Sequence, residues 1–155
     1  MTRILFVCLG NICRSPTAEA VFRARAHDAG LLDTLQLDSA GTGDWHVGKA
    51  PDARAMAAAA QRGYDLSALR ARQVAADDFR RFDLILAMDR DNLTDLRSQC
   101  PDDASCELGL FLDYHPQPPV REVPDPYYGG DDGFRQVLDL IEGASDGLIQ
   151  ALEQG

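Results

Sequence analysis

Residues 7–16 are Val7-Cys8-Leu9-Gly10-Asn11-Ile12-Cys13-Arg14-Ser15-Pro16, where an apolar run gives way to a loop and then to a helix. The run itself, residues 3–7, is short, almost unbroken and rich in β-formers, which predicts a strand buried on both faces. Pro16 stands where a first helical turn tolerates proline, and the helical pattern continues towards Gly30. The stretch therefore predicts a strand, a tight loop over residues 8–15 and a helix.

The same alternation of strand and helix continues along the rest of the chain. Further strands are predicted over residues 35–39, 82–88 and, more weakly, 107–112, and further helices over residues 51–62, 91–99 and 133–153. Strands that alternate with helices predict one α/β domain over residues 1–155, doubly wound around a parallel sheet. The proline-rich segment 115–126 is predicted to be a long loop, and such loops in compact domains are often functional.

The composition narrows the class of protein. With 155 residues and 45% hydrophobic content, the chain can build one substantial core. The formal net charge of -10 argues against nucleic acid as a partner, because binding a phosphate backbone needs a basic face. The sequence has no apolar run of about 18 residues, so we expect neither membrane insertion nor secretion.

The four cysteines, Cys8, Cys13, Cys100 and Cys106, do not resemble the disulfide framework of a small secreted domain. They contain no Cys-x-x-Cys pair, and the three histidines are scattered along the chain, so we expect neither a metal site nor a cofactor. Reduced thiols in the cytoplasm are the default interpretation.

The loop after the first strand combines a cysteine, Cys8, with an arginine, Arg14, at the start of a helix. In an open α/β sheet, ligands bind beyond the carboxyl ends of the strands, and this loop lies there. Backbone N–H groups in such a loop can cradle a dianion with help from the helix dipole, and the same field favours a Cys8 thiolate. Gly10 permits the unusual backbone conformation that this requires, and Asn11 tolerates left-handed conformations. The loop is predicted to bind phosphate and to activate a nucleophile.

The residues of this loop allow two other interpretations. The first is a buried structural thiol beside a surface arginine, since most cysteines and arginines have no catalytic role. The second is a nucleotide-binding loop of the Walker type, which the absence of a Gly-Lys-Ser/Thr ending excludes.

Transfer of a phosphoryl group from a tyrosyl oxygen also needs a proton donor, because charge develops on the leaving oxygen. Residues 124–130 read Pro124-Asp125-Pro126-Tyr127-Tyr128-Gly129-Gly130, and offer Asp125 between two prolines that restrict its backbone. The neighbouring tyrosines could wall a pocket for an aromatic group. The alternative is a plain surface turn.

With these two segments, the chain resembles the low-molecular-weight protein tyrosine phosphatases. The stretch 7–16 matches the family's phosphate loop, and Asp125-Pro126-Tyr127-Tyr128 matches its general-acid loop. Supporting matches are Asp38-Ser39-Ala40-Gly41-Thr42, Ala71-Arg72-Gln73 and Ala87-Met88-Asp89, so the resemblance covers nearly the whole chain. The resemblance implies a four-stranded parallel twisted sheet flanked by helices on both faces, with an N-terminal phosphate-binding loop.

The resemblance also implies roles for individual residues. Cys8 is then the nucleophile of a metal-free, two-step hydrolysis, Arg14 the phosphate clamp and Asp125 the general acid. The phosphate-binding residues are Leu9, Gly10, Asn11, Ile12, Cys13, Arg14 and Ser15. Ser15 steadies the thiolate, Asn11 and Ser39 brace the loop, and the aryl cleft is lined by Leu9, Ile12, Trp45, Tyr127 and Tyr128.

The implied substrate is a phosphotyrosine-containing protein, with inorganic phosphate or similar oxyanions as competitive ligands. The sequence departs from the family at one position, two residues before Ala71-Arg72-Gln73. The family often has a histidine there, which helps to hold the asparagine of the loop, and this chain has Leu69. We therefore expect an altered bracing network around Asn11.

Two other functions remain open at this point. The first is an arsenate reductase of the same fold, which passes oxidation along further cysteines such as Cys100 and Cys106. The Asp-Pro-Tyr-Tyr segment argues against it, because arsenate reduction has no need of that loop. The second is a phosphotyrosine-binding module without turnover, which the presence of both Cys8 and Asp125 argues against.

Overall fold

The computed structural model describes all residues from Met1 to Gly155. Its centre is a sheet of four parallel strands in the order β2-β1-β3-β4. The strands are β1 Thr2–Cys8, β2 Leu35–Gly41, β3 Leu84–Ala87 and β4 Glu107–Leu110. The four-stranded parallel sheet predicted from the sequence is therefore confirmed.

Five α-helices connect and cover the strands. They are α1 Arg14–Asp28, α2 Ala53–Ala60, α3 Asp78–Arg81, α4 Arg90–Gln99 and α5 Asp131–Gln154. Two short 3₁₀ turns, Leu32–Thr34 and Phe111–Tyr114, precede β2 and follow β4. None of the helices has the length and apolar character needed to cross a membrane.

Several boundaries differ from the predicted ones. The helix α2 begins two residues later than predicted, because the Asp52 side chain accepts a hydrogen bond from Arg54 N and caps the first turn. The strand predicted over 107–112 ends at Leu110, where the chain turns into a 3₁₀ helix. The four-residue helix α3 was not predicted at all.

The central strand β1 explains the two-sided core. Ile4, Leu5, Phe6 and Val7 are all fully buried, as the unbroken apolar run predicts. Ile4 and Phe6 pack in a cluster with residues of α1 and α5, whereas Leu5 and Val7 pack in a second cluster with residues of α3 and α4. Helices therefore cover both faces of the sheet.

The strand order also fixes where a ligand can bind. From β1 the chain first adds β2 on one side and then β3 on the other, so the connections diverge at β1. A crevice opens at such a switch point beyond the carboxyl ends of the strands. Cys8, the last residue of β1, pairs with Gly41 at the end of β2, which puts the loop 8–15 at this crevice.

The helix α5 packs against the segment after β4 at a glycine. A Cβ atom on Gly147 would overlap the carbonyl group of Tyr114, which is backbone and cannot rotate away. Gly133, in the first turn of the same helix, has more room, since a Cβ there would lie 3.5 Å from Pro126 Cβ, in ordinary van der Waals contact.

We predict that Gly147→Ala lowers the free energy of unfolding by about 1–3 kcal/mol, because the overlap with backbone outweighs the better helix propensity of alanine. Gly133→Ala is the matched control and should leave the stability unchanged or raise it. Urea unfolding of the two variants and the parent measures the difference. A Gly147→Ala protein as stable as the parent would show that the contact between α5 and Tyr114 is loose.

Candidate active site

The thiol of Cys8 lies at the carboxyl end of β1, with the residue only 3% exposed. The backbone N–H of Asn11 donates to Cys8 Sγ at 3.3 Å, and Ser15 Oγ lies 3.0 Å from the same sulfur. A thiolate at this position accepts hydrogen bonds from both groups, which stabilises its negative charge. The geometry suits a sulfur that acts as a nucleophile and as a leaving group.

The loop over residues 8–15, called the phosphate loop below, is held open by the side chain of Asn11. Asn11 has a φ of 57°, in the left-handed region that few residues other than glycine adopt. Its Nδ2 group donates to Ser15 Oγ at 2.8 Å and to Ser39 Oγ at 3.0 Å, and its Oδ1 accepts from Arg72 N at 3.0 Å. These three hydrogen bonds offset the cost of the unusual backbone conformation.

The carbonyl groups of the phosphate loop are paired on its outer side. Thr42 N donates to the Cys8 carbonyl and Gly43 N to the Leu9 carbonyl, both at 2.9 Å. The backbone N–H groups of residues 9, 10, 12 and 13 have no hydrogen-bond acceptor within the protein. Such a run of free N–H groups beside a helix N-terminus can bind an oxyanion.

Gly41 is necessary for this close packing. A Cβ atom on Gly41 would lie 2.7 Å from the carbonyl oxygen of Leu9 and 3.2 Å from Asn11 N. Both neighbours are backbone atoms of the phosphate loop, so any larger residue at position 41 would displace the loop. In the sequence, Gly41 is distinguished only by its place in the segment Asp38-Ser39-Ala40-Gly41-Thr42.

Behind the loop, the bracing network continues to a buried carboxylate that sequence reasoning missed. Ser39 Oγ donates to Glu19 Oε1 at 2.8 Å, and the Glu19 side chain is only 5% exposed. Burial raises the pKa of Glu19 above its ordinary value, although the hydrogen bonds from Ser39 and Arg23 partly oppose this effect. Glu19 follows Ser15 by one helical turn on α1, and this spacing is the signal that could have placed it behind the loop.

Leu69 stands where the family often has a histidine, and the structure shows what holds Asn11 in this chain. Leu69 packs against the larger core cluster, and the Oδ1 atom of Asn11 accepts a hydrogen bond from the backbone N–H of Arg72. Because a backbone group makes this contact, holding Asn11 requires no imidazole at position 69.

Arg14 is buried and held by its own partners. Its Nη1 atom donates to Asp89 Oδ2 at 2.6 Å and to the Val123 carbonyl at 3.0 Å. Burial disfavours the charge, but the neighbouring Cys8, Asp89 and Asp125 raise the pKa of Arg14 above its ordinary value. The guanidinium therefore stays charged, and its Nη2 atom lies on the side of Asp125, 3.7 Å from Asp125 Oδ2.

Asp89 has a defined structural task. One carboxylate oxygen accepts from Arg14, and the other accepts from Asn92 N at 2.8 Å and caps α4. Asp89 directly follows the segment that ends β3, so its position beyond the carboxyl end of a strand was the available signal. Its two oxygens are engaged, which leaves Asp125 as the freer carboxylate.

Asp125 stands at the mouth of the site. Its Oδ1 atom accepts a hydrogen bond from Tyr127 N at 3.0 Å, and its side chain is 43% exposed. One oxygen is thus oriented by the backbone, while the carboxyl group as a whole borders the cavity above Cys8. This arrangement lets the group exchange a proton with a ligand or with water.

These residues enclose one cavity of about 410 Å³. The lining residues are Cys8, Leu9, Gly10, Ile12, Cys13, Arg14, Trp45, His46, Asp125, Tyr127 and Tyr128. All the predicted cleft residues are among them, together with His46, which the sequence did not suggest. The floor is polar, and aromatic side chains form the walls, with Trp45 67% and Tyr128 96% exposed.

The remaining cysteines fall into two groups. Cys13 lies in the phosphate loop, where burial, Asp52, Cys8 and Asp125 raise the pKa of its thiol to about 12. Cys100 directly follows α4 and Cys106 directly precedes β4, so both lie at the end of the sheet where the strands begin, opposite the end where Cys8 lies. A relay of oxidation from Cys8 to Cys100 or Cys106 would need a large rearrangement of the fold.

Comparison with known proteins agrees with this geometry. The family model for low molecular weight phosphotyrosine protein phosphatase matches residues 3–155. A low molecular weight protein-tyrosine-phosphatase of Streptomyces coelicolor is 47% identical over 155 residues, which covers 98% of this chain and 94% of that protein.

Solved structures agree as well. The protein tyrosine phosphatase of Entamoeba histolytica with Hepes in its active site has a TM-score of 0.96 and 42% identity, over 100% of this chain and 99% of that chain. The Drosophila arginine phosphatase DARP has a TM-score of 0.91 and 32% identity, over 99% of this chain and 98% of that chain. The chain belongs to the low molecular weight phosphotyrosine protein phosphatases, a family of hydrolases.

Proposed function

We propose that the protein hydrolyses phosphotyrosine in proteins, and other aryl phosphates, through a phosphocysteine intermediate on Cys8. The observation that supports this most strongly is the convergence of three groups on one cavity: the Cys8 thiol, the Arg14 guanidinium and the Asp125 carboxyl. A nucleophile, an anion clamp and a proton donor are the parts that cleavage of a phosphate monoester requires.

In the first step, the Cys8 thiolate attacks phosphorus and the bond between phosphorus and the phenolic oxygen breaks. The electron pair goes to the phenolic oxygen, which takes a proton from Asp125. Arg14 and the free N–H groups of the phosphate loop bind the three remaining phosphoryl oxygens and stabilise their charge in the transition state. The tyrosine leaves as a neutral phenol.

In the second step, a water molecule attacks the phosphocysteine while the Asp125 carboxylate accepts its proton. The bond between phosphorus and sulfur breaks, and the thiolate leaves towards Ser15 Oγ and Asn11 N, the two groups near the sulfur. The product is inorganic phosphate, so phosphate and similar oxyanions should compete with substrate. We expect the reaction to take place in the cytoplasm, where Cys8 stays reduced.

The geometry of the site argues against the two other functions, an arsenate reductase and a binding module without turnover. An arsenate reductase needs cysteines that can reach the nucleophile in turn. Cys100 and Cys106 lie at the opposite end of the sheet from Cys8. A binding module without turnover has no use for a carboxyl group at the mouth of the cavity, where Asp125 lies. The aromatic walls favour an aryl phosphate over an alkyl one.

The sharpest test concerns Asp125, because its proton matters only when the leaving group is poor. We predict that Asp125→Asn lowers kcat/KM for phenyl phosphate on the order of 10²–10⁴-fold. For a dinitrophenyl phosphate, whose phenol is far more acidic, the same substitution should lower kcat/KM much less. The measurement must use kcat/KM or single-turnover phosphorylation, because the second step also uses Asp125 and could mask the contrast in kcat.

Asp89→Asn serves as the matched control, since Asp89 holds Arg14 and should affect both substrates alike. Equal losses for the two substrates in Asp125→Asn would mean that Asp125 positions its loop and does not donate a proton.

Phosphoarginine should be assayed in parallel, because the Drosophila relative is named an arginine phosphatase. A higher kcat/KM for phosphoarginine than for phosphotyrosine would overturn the proposed substrate class.

We further propose that the enzyme is redox-sensitive and that Cys13 rescues an oxidised Cys8. Hydrogen peroxide converts the Cys8 thiolate to a sulfenic acid, and the Cys13 thiolate then displaces hydroxide from it to form a disulfide, which dithiols reduce. With its pKa near 12, Cys13 is rarely a thiolate at neutral pH. Its thiolate fraction therefore rises about tenfold per pH unit between pH 7 and 9.

We predict that the fraction of activity recovered by dithiothreitol after peroxide treatment increases from pH 7 to pH 9, and that Cys13→Ser abolishes this increase. Residual activity after a fixed peroxide pulse, before and after reduction, measures the fraction. Recovery in Cys13→Ser equal to that of the parent at every pH would mean that Cys13 only packs.

A further inference from the structure

Arg54 is a surface residue whose guanidinium is tied to several parts of the site. It is the second residue of α2, and its side chain is 42% exposed. Its Nε donates to Asp52 Oδ1 and its Nη2 to Asp52 Oδ2, both at 3.1 Å. Asp52 is itself anchored to the phosphate loop, because its backbone N–H donates to the Ile12 carbonyl at 2.8 Å.

The same guanidinium also contacts residues 124–130, called the acid loop below. Its Nη2 atom donates to the Tyr127 carbonyl at 2.8 Å, and its Nη1 atom lies 3.5 Å from the Gly129 carbonyl. Its Cζ atom is 5.5 Å from the centre of the Tyr127 ring and 4.9 Å from that of Phe134, the latter in the first turn of α5. No other side chain from outside the acid loop hydrogen-bonds to the loop's backbone.

The hydrogen bond to Tyr127 leads directly to Asp125. The carbonyl of Tyr127 accepts from Arg54, while the N–H of the same residue donates to Asp125 Oδ1 at 3.0 Å. The backbone group that orients the Asp125 carboxyl therefore belongs to the residue that Arg54 holds. Without Arg54, the backbone of the acid loop would keep only its own local hydrogen bonds, such as that from Gly129 N to the Pro126 carbonyl at 3.0 Å.

We propose that Arg54 is a positioning residue for Asp125: it fixes the Tyr127 backbone so that the carboxyl of Asp125 is aimed at the leaving oxygen. The inference rests on the proposed function, in which Asp125 is the proton donor. An arginine suits this task because its planar fork can bind Asp52 and two carbonyl groups at once while its face contacts two aromatic rings. A lysine at position 54 keeps the charge but reproduces neither the fork nor the planar face.

Positioning through Asp125 has a signature that a merely structural role lacks. Arg54→Ala should lower kcat/KM for phenyl phosphate by about 10- to 100-fold, since a displaced proton donor loses much of its effect. For dinitrophenyl phosphate, which leaves without a proton, the loss should stay below about threefold. Arg54→Lys should fall between the parent and Arg54→Ala for phenyl phosphate.

Arg135→Ala is the matched control. Arg135 is an exposed arginine in the first turn of α5 that pairs with Asp132, so the variant removes the same charge from the same side of the molecule. It should leave kcat/KM for both substrates within about twofold of the parent, the range expected for a surface substitution away from the site. Thermal unfolding of all variants separates loss of fold from loss of positioning.

A double variant tests the route through Asp125. If Arg54 acts through that carboxyl, then Arg54→Ala added to Asp125→Asn should cause no further loss with phenyl phosphate. Additive losses, or equal losses for the two substrates in Arg54→Ala alone, would overturn the inference. Its failure is distinguishable from failure of the proposed function, because the latter would remove the contrast between substrates in Asp125→Asn itself.

Discussion

The site depends on the hydrogen bonds that hold Asn11 in its left-handed conformation. Asn11 is the one residue other than glycine with a positive φ, and it lies in the loop between β1 and α1. In this loop the carbonyl groups of Cys8 and Leu9 are paired with Thr42 and Gly43, while the N–H groups of residues 9, 10, 12 and 13 have no acceptor within the protein. Its side chain is satisfied by two hydroxyl groups and one backbone N–H, each from a different part of the fold. The strained loop is stable only because the surrounding structure specifies it from several sides at once.

The groups that can attract an anion in this protein are confined to the site itself and do not reflect the net charge of the chain. The chain carries a formal charge of -10, yet it builds a site suited to a dianion. It does so with one buried guanidinium, that of Arg14, and with free backbone N–H groups, which carry no net charge. Two carboxylates lie near Arg14, and they have different tasks: Asp89 is committed to hydrogen bonds that fix the guanidinium, while Asp125 remains partly exposed at the mouth.

The sequence predicted the central architecture because the decisive signals are local. The apolar run of β1 and the loop that joins it to α1 are continuous in the chain, so pattern and spacing suffice to identify them. Helix α3 escaped prediction because its four residues are too few to show a period. The role of Asp89 as a partner of Arg14, and that of Arg54 at the site, were missed for another reason. Their partners, Arg14 and Tyr127, are 75 and 73 positions away in the chain, and only the folded sheet brings them together.

The most direct test of the account is to identify the residue that carries the phosphoryl group. Asp125→Asn should slow the second step, so the protein can be mixed with dinitrophenyl phosphate, quenched by denaturation and digested with trypsin. Mass spectrometry of the peptide 4–14, which contains both Cys8 and Cys13, should find the phosphoryl group on Cys8. It should persist in Cys13→Ser and vanish in Cys8→Ser. A phosphoryl group on any other residue, or turnover without a covalent intermediate, would contradict the account.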